Sequence, residues 1–139
     1  MNVNEAKREL GNYLKYENTI ETRRKWLEEK KLESNRLSPT LSDMPKGSRK
    51  ENDTMAEKLS ETLDIEADTE KYLKTLEEKN KAVYKKVLLI EQPYQDILFN
   101  LYILGNSIEI TAEMIHYSKS HTDRLKKKAI EMYAEIISQ

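Results

Sequence analysis

Only three prolines and three glycines punctuate the 139 residues, and where they fall limits the chain to a few long helical stretches. Proline removes a backbone donor and clashes with the preceding turn, and glycine weakens a helix interior, so their scarcity leaves long runs without a breaker. Pro39, Pro45 and Gly47 cluster in one place, Pro93 stands alone, and Gly105 follows an apolar run. A sheet protein of this length needs many more turns, so the chain is expected to be all-α.

The first unbroken stretch, residues 5–36, places Leu10, Tyr13, Leu14, Ile20, Trp26 and Leu27 at spacings that put most of them on one helical stripe. Opposite charges interleave on the other side, as in Glu21 and Lys25, while Gly11 weakens the first turns. Residues 37–52, LSPTLSDMPKGSRKEN, read as a flexible linker because two prolines and a glycine forbid a continuous helix there. Asp53 or Thr54 is the expected N-cap of a second long helix over 53–91. Its second half carries a 3-4 spacing through Leu73, Leu76, Asn80, Val83, Val87 and Ile90, with Asn80 on the apolar seam where a polar residue can specify a pairing. That stripe reads as internal packing in a hairpin or short coiled coil rather than as a groove for a partner.

Pro93 stops the second helix through its effect on Gln92 and suits the first turn of the next. The stretch 94–104 is apolar at Ile97, Leu98, Leu101 and Tyr102, and Gly105 suits a left-handed end. Ser107 can cap a short helix to Ile115, and Ser118 a final one to about Ser138. Residues 92–139 therefore read as a three-helix helix-turn-helix domain following the N-terminal hairpin or coiled coil.

On the final helix, Thr122, Leu125, Ala129, Met132, Tyr133 and Ile136 share a face suited to packing. Ser120, Arg124, Lys127 and Glu131 lie opposite, flanked by Lys119, His121, Lys126 and Lys128. Net charge is only −1, yet five Lys or Arg and a single acid, Asp123, fall between Ser118 and Ala129. Taken alone, the run Lys126 to Lys128 would read as a solvated face. On the third helix of this layout it reads as a contact for double-stranded DNA: long cations reach phosphates, Arg124 can fork onto guanine, and the capped helix start favours a phosphate.

The runs YQDILFNLYILG (94–105), SIEITAEMIHYS (107–118) and KSHTDRLKKKAI (119–130) resemble region 4 of bacterial sigma factors. They are closer still to the sigma-region-4-like regulators of phages of Gram-positive bacteria, of the RinA and ArpU type. YLKY (13–16) and MPKG (44–47) extend the likeness upstream. The resemblance implies activation of late phage genes through promoter-proximal DNA, with RNA polymerase as a further partner. It places DNA contacts at Lys119, Ser120, His121, Asp123, Arg124 and Lys128, to which the capped helix start adds Ser118 and the cationic face adds Lys127. Ala112 takes the small position where two helices cross. His116 replaces the usual turn glycine, Asp123 stands where a basic residue is more common, and Thr111 and Thr122 replace aliphatic residues, predicting a marginal core. The N-terminal helices are left for self-association, giving a homo-oligomer, or for contacting polymerase.

Other classes find little support. With no cysteine, disulfides and thiolate metal sites are excluded. His116 and His121 face different ways, so no metal is expected, and no glycine-rich loop or nucleophile constellation points to an enzyme or a cofactor. Neither a signal-peptide core nor an apolar run of about 18 residues is present, so no membrane association and a location in the bacterial host cytoplasm are expected. The rival readings are a small terminase-like DNA-packaging subunit and a helical adaptor that binds no DNA.

Overall fold

The computed structural model describes the backbone of residues 1–42 and 49–138, and the side chains of these except 34–42, 49–56, 59, 137 and 138. The chain is all-helical: α1 (Val3–Ser42), α2 (Arg49–Leu88), α3 (Tyr94–Leu98), a π-helical turn (Phe99–Ile103), α4 (Ile108–Ile115) and α5 (Lys119–Ser138), with no strand among the described residues.

The long helices overrun the boundaries expected from the breakers. α1 continues past Leu37 to Ser42, and α2 begins at Arg49, so Asp53 and Thr54 are helical rather than caps. Proline removes a single ladder bond, and so close to a helix end few turns have to be propagated past it. Of the expected linker, residues 43–48, including Pro45 and Gly47, lie outside the described residues. α2 ends at Leu88, earlier than Ile90 or Glu91. There the ladder tightens, with Leu89 N–H donating to Lys86 O and Ile90 N–H to Val87 O, each at 3.1 Å. The Gln95 side chain donates to the freed Leu88 carbonyl at 3.0 Å.

The chain divides into two compact units, and not at the expected domain borders of 36, 52 and 91. One unit joins residues 1–18 to 77–139, and the other spans 19–76. Within the second, Ile20 and Leu27 of α1 and Leu73 and Leu76 of α2 are buried. Lys31 pairs with Glu70 at 3.2 Å, and the Arg23 guanidinium lies 4.9 Å from the centre of the Tyr72 ring. Glu66, about two turns before Leu73 on α2, is also buried there.

The first unit holds the main core. Ala6 and Leu10 of α1, Val83 and Val87 of α2, Ile90, and Leu98 of α3 close over Ala129, Ile130, Tyr133 and Ala134 of α5. The first turns of the chain are thus part of the same core as the last helix. Asn80 is 4% exposed and resolves the pairing that its seam position raised: its amide donates to Tyr13 O at 3.1 Å and to Glu17 Oε1 at 3.0 Å, both on α1. Lys86 pairs with Glu9 at 3.1 Å, half-buried beside Tyr133. Burial, and then the Glu9 carboxylate, push the Tyr133 hydroxyl far above the usual tyrosine range. That hydroxyl is buried beside Glu9 without a well-aligned hydrogen bond.

The stretch 94–104, expected as one helix, changes pitch at Phe99. Leu104 N–H reaches back to Phe99 O at 3.0 Å and Asn106 N–H to Asn100 O at 2.8 Å, spans longer than an α-turn. Asn100 is the cause: its buried side chain donates to Asp96 O at 2.7 Å and accepts from the Asn106 amide at 3.2 Å, inserting itself into the ladder. Gly105 follows at φ 76°, where a Cβ would also stand 3.1 Å from Leu14 Cδ1.

Candidate nucleic-acid interface

Two serines and two threonines build the frame that presents α5. Ser107, in an extended conformation, accepts from Ile110 N–H at 3.2 Å, and Ser118 accepts from His121 N–H at 3.2 Å. Each is an N-cap side chain satisfying a donor that has no partner inside its helix. Thr111 and Thr122, four residues on, are fully buried, yet each hydroxyl donates back to its serine carbonyl at 2.8 Å. The polar penalty anticipated for these two positions is therefore met locally, and neither hydroxyl is orphaned. A repeated Ser-x-x-x-Thr, at 107–111 and 118–122, was the available signal.

Between the caps, α4 ends on a residue with a side chain in the left-handed region. His116 has φ 63° and ψ 37°; its N–H donates to Glu113 O at 3.3 Å, and Tyr117 N–H donates to Ala112 O at 3.0 Å. This paired closure satisfies two terminal carbonyls and turns the chain within two residues, so α5 starts at Lys119. A Cβ in this conformation costs about 1–2 kcal/mol, part of which glycine would return as unfolded-state entropy. His116→Gly is expected to raise stability by about 0.5–1 kcal/mol, seen as a higher urea midpoint with an unchanged slope. A lower midpoint would show that the imidazole contributes more than the turn strain removes.

α5 packs on α3 and α4 through its apolar side, with Thr122, Ala129, Ile130, Tyr133 and Ala134 buried; Ala112 of α4 is buried as the small position expected there. Every residue expected at the interface, Ser118, Lys119, Ser120, His121, Asp123, Arg124, Lys127 and Lys128, is exposed, while Lys126 is half-buried. They are not equivalent. Ser120, Arg124 and Lys127 share the outward face, and among the described residues neither cation there has an ion-pair partner. Lys128 Nζ lies 5.5 Å from the centre of the Tyr94 ring, and His121 meets Tyr117 edge-on at 4.9 Å. Lys119 is paired with Glu109 of α4 at 3.0 Å, a partner that sequence reasoning missed because the two are neighbours only once α4 and α5 have packed.

Elsewhere in this unit, an open groove of about 470 Å³ between α1 and α2 is lined by charges of both signs, among them Arg8, Glu9 and Lys79. Among the described residues no three His, Asp or Glu side chains gather as a metal-ligand set, and no helix is long and apolar enough to cross a membrane. The chain matches no protein-family model, no curated protein and no solved structure.

Proposed function

We propose that this chain is a DNA-binding transcriptional regulator, an activator of the sigma-region-4-like phage type, that lays α5 in the major groove of double-stranded DNA. The observation that carries this reading is the turn at His116, which seats α5 on α3 and α4 by its apolar side and leaves Ser120, Arg124 and Lys127 facing outward. A helix so held presents a guanidinium able to read guanine, with an ammonium one turn on able to reach phosphate. The resemblance of residues 94–130 to sigma region 4 supports the same reading and supplies the transcriptional role, with RNA polymerase as the second partner.

Affinity then comes mainly from phosphate contacts, so the binding constant falls with salt with a log–log slope of roughly −3 to −6 for a handful of contacts. The test is retention of fragmented phage and bacterial DNA at two salt concentrations, followed by sequencing of what is held. Enrichment of one short region upstream of a gene block, weakened by salt, is the expected result. Retention without any regional enrichment would point to packaging rather than regulation, and no retention at low salt would overturn the reading.

A further inference from the structure

Glu109 and Lys119 belong to different helices, one in the first turn of α4 and the other in the first turn of α5, and their charged atoms are 3.0 Å apart. Both side chains remain well exposed, at 60% and 59%. The hydrogen bond from Lys119, and then the Glu109 amide, hold the carboxyl below the usual glutamate range. The same carboxylate, with a smaller contribution from Asp123, holds the Lys119 ammonium above its usual value. Both partners shift in the direction that a shared ion pair requires.

Resting on the reading of α5 as the DNA-contacting helix, we infer that Glu109 is an internal competitor for nucleic acid, its carboxylate neutralising the first cation of α5 so that a DNA phosphate must displace it. A carboxylate and a phosphate make the same demand on an ammonium group, a negatively charged oxygen within hydrogen-bond distance. An exposed pair of this kind is weak enough to exchange, so Lys119 is held back rather than lost to binding. Glu109 thereby sets how many cations loosely bound DNA can engage. Glu113, exposed one turn on in the same helix, has no ion-pair partner among the described residues and serves as the internal comparison.

The experiment measures affinity of the full chain for a short random-sequence duplex by fluorescence anisotropy, at low and near-physiological salt. The variants are Glu109→Gln, Glu113→Gln, Lys119→Gln and the double variant Glu109→Gln with Lys119→Gln, each checked by its urea midpoint. Glu109→Gln is expected to bind about threefold to fivefold more tightly. On this random-sequence duplex, where the wild-type pair stays closed against loosely held phosphate, its salt slope should steepen by about 0.9, one additional phosphate contact. Glu113→Gln is expected to gain less, and the Glu109→Gln gain to vanish in the Lys119→Gln background. Equal or weaker binding by Glu109→Gln, or a gain that survives without Lys119, overturns the inference while leaving the DNA reading intact. A wild-type chain that ignores the duplex at every salt concentration overturns both.

Discussion

Replacing Lys127 and Lys128 together by glutamate is expected to abolish DNA binding, by about a hundredfold or more, without unfolding the chain. Lys127 shares the outward face of α5 with Ser120 and Arg124, and Lys128 flanks it over the Tyr94 ring. On the proposed reading, reversing both charges would remove two phosphate ligands and add two repulsive groups at the same places. Both residues are exposed, and the Lys128 contact with Tyr94 is worth no more than about 1 kcal/mol at such a site, so helix content and thermal midpoint should hardly move. The milder pair Lys127→Gln with Lys128→Gln separates attraction from repulsion: binding should weaken less, and the salt slope should flatten by about two contacts. Circular dichroism and a salt titration decide the matter. Retained affinity in the charge-reversed protein would remove this face from the interface.

The second large effect concerns folding. A fragment of residues 92–139, the helix-turn-helix as the sequence delimits it, is expected to lose its cooperative fold. Leu10, Val83, Val87 and Ile90 are all buried in the core that covers α5, and the fragment lacks every one of them. Each buried side chain of this kind stabilises by about 1.5–3 kcal/mol, so their joint loss is comparable to the whole stability of a small domain, about 5–15 kcal/mol. The exposed faces of Leu98, Ala129, Ile130 and Tyr133 would then meet water. A flat, non-cooperative thermal melt of the fragment is the expected result, against a sigmoidal one for the full chain. A fragment that melts cooperatively and binds DNA as the full chain does would show that residues 1–18 and 77–91 are dispensable to this core.

The parts of the molecule legible without coordinates are those governed by a few neighbouring residues. Ser107 and Ser118 cap the helices they were expected to cap, Gly105 takes a left-handed conformation, and the turn at His116 is the unusual one that a missing glycine implies. The outward and inward faces of α5 followed from its angular spacing, since a helix with one apolar stripe must turn the other side to water. Less legible were the positions where one side chain alters the backbone. Asn100 reads as an ordinary polar residue in an apolar run, and only its bond to the Asp96 carbonyl explains the change of pitch at Phe99.

The sequence by itself determined the helical class, the stops and starts of the C-terminal helices, and which face of α5 carries the cations. Caps, breakers and the helical period are local properties, complete within about four residues. Only the tertiary structure decided that the first 18 residues share a core with α5, that the Asn80 amide donates to α1, and that Glu109 holds Lys119. The first two pairings join residues far apart along the chain and the third joins two successive helices across their turn; all depend on which apolar faces cover one another, and no local pattern ranks such alternatives.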